Sequence, residues 1–270
     1  MLRLSCVLFL ICFFDWSNMQ GHYRKDRMPK IMGDKIPLSA LMPEKPRTRS
    51  KIVKMHNVFR SRVKPAASNM LKMTWNERLA EAAQKWTQNC QFLTHDGNDG
   101  RFIPNYGPCG QNIFVATQKV PWFFAINTWF LEKDNFTYGG KNDLRRIGHY
   151  TQMVWAATHE VGCGISKCIN LNNGTWVKYY SYICNYCPIG NLPDKLGLPY
   201  KKGVPCQACK GSCHSKRLCT NSCNVADYWS NCNRLFQRWP SWLCHTNTKK
   251  GKERTRRCRA TCTCRQKIHD

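Results

Sequence analysis

Ten of the eighteen cysteines in this chain fall between Cys206 and Cys264, the tightest cluster being Cys258, Cys262 and Cys264. A segment so rich in cysteine and so poor in core-forming aliphatics cannot bury enough apolar area to hold itself together, so crosslinks must replace the missing core. The preceding part has the spaced aliphatics and aromatics of an ordinary domain. The chain therefore divides into two differently built parts and calls for an oxidising compartment.

The N-terminus points to the same compartment. Met1 and Arg3 precede an apolar run, Leu4 to Phe14, that Asp15 ends. Eleven residues are too few to cross a bilayer, which needs about 20, so 1–21 reads as a secretory signal peptide. Its removal would take Cys6 and Cys12 away and leave sixteen cysteines, an even number. Forty-two Lys and Arg against sixteen Asp and Glu give a net charge of +26, thickest between Arg24 and Lys54 and from Lys249 to Arg259. Such a field should draw the protein to sulfated glycans, anionic lipid or the acidic mouth of a cation channel. Nucleic acid is a poor partner for a secreted chain.

Residues 22–50 are rich in Pro, Lys and Arg without sustained apolar periodicity and read as an extended, disordered lead-in. From Lys51, the spacing of Ile52, Met55, Phe59 and Val63 predicts a first helix ending at Pro65. Asn76 is a good N-cap for a second helix carried by Leu79, Ala83, Trp86 and Cys90, and Pro121 suits the start of a third with Trp122, Ile126, Trp129 and Phe130 on one face. Thr151 to Ala156 and Val177 to Cys184 have strand composition, which implies a layered α/β domain over 51–191. Leu192 to Val204, with two prolines and two glycines, predicts a linker over 192–205. Cys184, Cys187, Cys206 and Cys209 have the spacing of a zinc ribbon. They straddle that linker in a chain bound for oxidation, so a ribbon is rejected.

Four motifs follow in order: His56-Asn57-Val58-Phe59-Arg60, Cys109-Gly110-Gln111-Asn112-Ile113, Gly148-His149-Tyr150-Thr151-Gln152-Met153-Val154-Trp155 and Cys184-Asn185-Tyr186-Cys187-Pro188-Ile189-Gly190-Asn191-Leu192. Together they resemble the CAP superfamily, with Ser181 standing where an apolar residue is usual. Six cysteines in this domain followed by ten more make the chain similar to the cysteine-rich secretory proteins. The resemblance implies a three-layer α-β-α sandwich followed by a hinge (206–222), a small, mostly helical channel-toxin-like module (223–264) and a short tail (265–270). It also implies the disulfides Cys90–Cys168, Cys109–Cys187 and Cys163–Cys184 in the sandwich and Cys206–Cys213 and Cys209–Cys219 in the hinge. In the module, similar to sea-anemone potassium-channel toxins, it implies Cys223–Cys264, Cys232–Cys258 and Cys244–Cys262.

In CAP domains two histidines and two glutamates line a cleft, and the matching positions here are His95, Gln111, Glu132 and His149. One acid has become an amide, so the expectation is a weak site, zinc being the natural ion, with no required cofactor. The chain lacks G-x-S-x-G and H-E-x-x-H, which argues against an enzyme. His56 reads as structural. In the module, Tyr228, Trp229 and Phe236 interleave with Arg234 and Arg238 and form a candidate surface for a cation channel or another cell-surface receptor. Trp239 and Trp242 could extend it or fill the module's core. Asn135 and Asn173 head two glycosylation sequons. The resemblance points to a non-enzymatic regulator of cation channels in a reproductive or venom setting, with a lipid or sterol carrier as the alternative and a metal-dependent hydrolase as the remote one.

Overall fold

A computed structural model of the chain describes residues 35–172 and 174–270. The expected leader, residues 22–34 and the sequon asparagine Asn173 lie outside the described residues.

The first helix, α1 (Pro46–Arg60), starts five residues before Lys51 with Pro46 in its first turn, where a missing N–H costs nothing. Ahead of it a 3-10 turn, Leu38–Ala40, leads into Leu41, which is buried and whose carbonyl accepts from Trp122 Nε1 at 2.7 Å. The expected disordered lead-in is therefore ordered from Lys35 onward. Three spaced apolar residues, Ile36, Leu38 and Leu41, dock on the domain although they are too few to register as a periodic pattern.

A four-stranded mixed sheet follows in the order β1-β5-β6-β4, built from β1 (Thr74–Trp75), β4 (Gly110–Ala116), β5 (Glu160–Asn172) and β6 (Thr175–Cys187). A small antiparallel pair, β2 (Phe102–Ile103) and β3 (Gly107–Pro108), lies outside it. Helix α2 (Glu77–Gln88) covers one face, its N-terminus capped by the Asn76 side chain accepting from Leu79 N–H. Gly162 and Gly164 of β5 let α2 approach: a Cβ would meet Ala80 N at 2.2 Å from the first and Gln84 Cα at 2.4 Å from the second. The opposite face carries α1, α3 (Trp122–Leu131) and α4 (Leu144–Met153), which bury Ile52, Ile126, Trp129, Tyr150 and Met153 against Ile165, Tyr182 and Tyr186. The architecture is the α-β-α sandwich that the motifs implied.

Two local expectations change. Thr151 to Met153 belong to α4, not to a strand. Ile147, Tyr150, Thr151 and Val154 bury at helical spacing, and Asp143 caps the helix by accepting from Arg145 N–H, so period and cap override β propensity. Residues 192–204 form a strap rather than a free linker. Pro199 and Lys201 carbonyls accept from Ala156 and Ser68 N–H at 2.8 Å each, Gly203 N–H donates to Ala66, and Tyr200 is buried. Its first half turns on internal bonds, Lys195 N–H to Leu192 O and Leu198 N–H to Lys195 O, and its second half is held by the sandwich.

The hinge, with β7 (Cys213–His214) and β8 (Leu218–Cys219), is welded to the same surface: Cys219 donates to Met70 O at 2.7 Å and accepts from Lys72 N–H at 2.8 Å. The terminal module is four short helices, α5 (Cys232–Arg238), α6 (Pro240–Cys244), α7 (Lys249–Arg257) and α8 (Arg259–Thr263), around Cys232, Leu243 and Cys258. The eight disulfides join Cys90–Cys168, Cys109–Cys187, Cys163–Cys184, Cys206–Cys213, Cys209–Cys219, Cys223–Cys264, Cys232–Cys258 and Cys244–Cys262.

Two polar groups on α1 lie wholly inside. His56 Nδ1–H donates to Ile52 O at 2.8 Å, so Nε2 accepts from Tyr186 O–H at 2.9 Å, and burial pushes this imidazole down to about 4. The ring is neutral and structural. The Arg60 guanidinium donates to five backbone carbonyls, Leu71, Met153, Trp155, Ala156 and Thr158, over distances of 2.6 to 3.2 Å. Burial lowers it to about 9, and it remains a cation at neutral pH. Ala156 O also accepts from Leu71 N–H at 3.2 Å, but replacing Arg60 with leucine would leave the other four acceptors without this partner, at about 1 to 3 kcal/mol each before relaxation. Arg60→Leu is therefore expected to lose at least about 3 kcal/mol of stability, read as a lower denaturant midpoint with disulfides intact; a loss within about 0.5 kcal/mol, the size of an ordinary surface change, would contradict this role.

Candidate functional site

The cleft residues lie around β4, an edge strand of the sheet. Gln111 lies on β4 and is buried, His95 follows α2, Glu132 ends α3 and His149 lies on α4. They form two pairs. His95 Nδ1 donates to Gln111 Oε1 at 2.9 Å; that oxygen also accepts from Asp96 N–H at 3.1 Å, and Gln111 Nε2 donates to Asn185 Oδ1 at 3.0 Å. His149 Nδ1 donates to Glu132 Oε1 at 2.5 Å, while Glu132 Oε2 accepts the His149 and Tyr150 N–H groups at 2.9 and 3.1 Å. Both rings are thus held by Nδ1, leaving each Nε2 lone pair for an incoming group. The Trp129 ring stacks on His149 with centroids 6.2 Å apart and fixes its plane further.

The hydrogen bonds divide the four expected ligand positions into two kinds. Gln111 and Glu132 each spend their oxygens on a histidine and on backbone N–H, so they hold the rings in place, and His95 and His149 are the residues that could donate to an ion. Among the described residues, the only three His, Cys, Asp or Glu ligand atoms within 4.8 Å of one another come from Cys206, Cys209 and Cys219. Those sulfurs sit in the disulfides Cys206–Cys213 and Cys209–Cys219 and offer no thiolate. Two imidazole nitrogens, completed by water, fit a borderline-soft ion such as zinc but supply fewer ligands than a closed structural site.

The module's candidate surface also separates. Tyr228 is committed to the junction with the sandwich: its hydroxyl donates to Pro104 O at 3.3 Å, and its ring lies so close to Gly107 that a Cβ there would meet it at 2.4 Å. Arg234 and Arg238, four apart on α5, share an exposed face, whereas Phe236 turns inward and packs beside Cys232, Leu243 and Cys258. Trp229 is 38% exposed. Leu243, not an indole, fills the core, and Trp239 and Trp242 stand 53% and 45% exposed with centroids 6.4 Å apart. The Arg254 guanidinium sits 4.0 Å over Trp242 and donates to its carbonyl. The alternation of basic and aromatic residues was the signal for this pair, but it does not say which ring faces in. Asn135 is exposed, with its Oδ1 accepting from Arg146 at 2.8 Å.

Comparison with known proteins places these features. The model of the CAP domain, described as the cysteine-rich secretory protein family, matches residues 53–186, and the Crisp domain model matches 206–269. Cysteine-rich secretory protein 2 of Cavia porcellus is 39% identical over 233 residues, 86% of this chain and 89% of the relative. The Homo sapiens protein of the same name is 38% identical with the same coverage. The crystal structure of Na-ASP-1 superposes with a TM-score of 0.50 at 25% identity, covering 64% of this chain and 46% of that one. With the sandwich, the hinge and the stapled module all inside the matched span, this chain belongs to the cysteine-rich secretory protein family.

Proposed function

We propose that this protein is a secreted, non-enzymatic regulator that engages a cation channel at the cell surface through its C-terminal module. The exposed Trp239–Trp242 pair, flanked by Arg238 and Arg254 on a scaffold held by three disulfides, carries this reading. A rigid indole pair offers a large contact area at small entropic cost, and the guanidinium groups beside it complement the acidic vestibule of a cation pore. The described cleft supports binding rather than turnover. Its two imidazoles pair through Nδ1 with an amide and a carboxylate, and among the described residues no hydroxyl or thiol hydrogen-bonds to either ring as a nucleophile would.

A recess of about 790 Å³ beside α1 and α3 favours a second reading, carriage of an amphiphilic anion. Its lining includes the buried or half-buried Leu41, Met55 and Phe59 and the exposed Phe123, together with the exposed cations Lys45, Arg47, Lys51 and Arg62. Apolar side chains beside exposed cations match a fatty acid or a sterol sulfate.

Three outcomes test these readings. Applied to potassium, calcium or ryanodine-type channels, the full chain should reduce at least one current, and Trp239→Ala with Trp242→Ala should raise the half-effective concentration at least tenfold; an inert wild type, or a double variant of equal potency, defeats the channel reading. Calorimetry should find weak zinc binding that His149→Ala abolishes and Gln111→Glu strengthens roughly tenfold, because a carboxylate makes His95 a more basic ligand. Palmitate should bind saturably, and Met55→Trp, by filling the recess, should weaken it roughly tenfold; unchanged affinity would place any lipid elsewhere.

A further inference from the structure

The basic segment at Lys249 to Arg259 is used neither by the cleft nor by the indole pair. Its cations repeat: Lys249-Lys250-x-Lys252 recurs seven residues later as Arg256-Arg257-x-Arg259. Seven residues are close to two helical turns, so Lys249 and Arg256 stand on one face of α7 about 10 Å apart, with Lys252 between them. That row is exposed, and among the described residues none of its three cations lies within salt-bridge distance of a carboxylate. Glu253, the one acid in the helix, sits 3.9 Å from Arg257.

Left to itself, α7 is a poor helix. Six of its nine residues are cationic, Lys252 faces Arg256 at i,i+4, and Lys249 and Lys250 oppose the positive end of the helix dipole. The fold imposes the helix by other means. Thr248 Oγ1 caps Gly251 N–H at 3.1 Å, Gly251 packs where a Cβ would meet Thr246 O at 2.1 Å, and Cys258 is crosslinked to Cys232. The charge repulsion is therefore tolerated on a rigid scaffold and left without an internal counterion, the arrangement expected when the counterion is a ligand.

The row borders a recess of about 400 Å³ lined by Tyr228, Lys249, Lys252, Glu253, Arg256 and Arg257. Tyr228 is pre-positioned there, with its N–H donating to Arg257 O at 2.7 Å and its hydroxyl to Pro104 O. We propose that this face of α7 is a binding site for a sulfated glycosaminoglycan, with Lys249, Lys252 and Arg256 pairing successive sulfates and the Tyr228 ring flanking a sugar. A linear polyanion suits a linear row of cations. A bilayer surface is the poorer fit, because apart from Tyr228 the recess presents no apolar side chain to insert. Docking here would hold the protein at a cell surface while leaving Trp239 and Trp242 free.

The test is calorimetry of the full chain with a size-defined heparin oligosaccharide near physiological salt. Lys249→Gln, Lys252→Gln and Arg256→Gln together should weaken binding at least tenfold and flatten its salt dependence. Lys64→Gln, Lys85→Gln and Lys141→Gln, which remove the same charge from exposed positions of the sandwich, should stay within about twofold of wild type. The charge-conserving set Lys249→Arg, Lys252→Arg and Arg256→Lys should retain affinity, which separates loss of charge from loss of fold. Hyaluronan, which has carboxylates but no sulfates, should bind far more weakly than heparin. Equal losses in the two Gln variants would reduce the effect to overall charge and overturn the site. Phosphatidylserine vesicles bound more tightly than heparin, with that binding lost in the α7 variant, would overturn it in favour of a membrane.

Discussion

The Arg60 guanidinium is the point through which the other parts of this molecule are fixed relative to one another. From α1 it gathers the carbonyls of Leu71, Met153, Trp155, Ala156 and Thr158, the stretches that leave α4, enter β5 and face the hinge. The same stretches then serve as templates: Leu71 bridges to Cys219 of the hinge, and Ala156 N–H donates to Pro199 of the strap. A buried cation can hold so many irregular carbonyls because its planar fork presents five N–H donors. Without it, the segment between α4 and β5 would carry dry, unpaired acceptors.

Upstream of that point, α4 presents His149 to the cleft, where a division of labour emerges from hydrogen bonding alone. Glu132 and Gln111 each hold an imidazole by Nδ1, and a neutral amide at Gln111 positions His95 while polarising it less than a carboxylate would. Downstream, the strap and hinge carry the module against the sandwich, and contacts from the start of the module and from the tail after it secure it. Ala226 N–H donates to Asn105 O, and the Trp155 indole N–H donates to the Asp270 carboxylate. The module is crosslinked internally and docked externally, so its few apolar residues need not all be buried. That freedom leaves Trp239 and Trp242 exposed for recognition and allows α7 to carry a charge density that a self-supporting helix would not sustain.

Much of this was legible in the chain. Cysteine density separated the two parts, Asn76 and Pro121 marked helix starts where caps and first turns are found, and the four motifs implied both the sandwich and the membership of its family. Errors arose where local composition competed with tertiary contact. Thr151 to Met153 looked like strand because Thr and Val favour sheets, yet Ile147, Tyr150 and Val154 bury at helical period. The stretch from Leu192 to Val204 looked like a linker because Pro and Gly break regular elements, although backbone groups of Gly197, Pro199, Lys201 and Gly203 bond to the sandwich.

What the sequence determined alone were properties set by residue type and near neighbours: two building principles, the helix caps and the cationic field, while the positions of His95, Gln111, Glu132 and His149 came from the resemblance of its motifs to a family. Only the tertiary structure decided which nitrogen of each histidine is free, which rings of the module face water, and that Tyr228 belongs to a junction. Those outcomes depend on contacts between residues far apart in the chain, such as His149 with Glu132 or Tyr228 with Pro104. Hydrogen-bond direction and side-chain exposure are settled by what packs opposite a group, and one-dimensional spacing does not encode that neighbour.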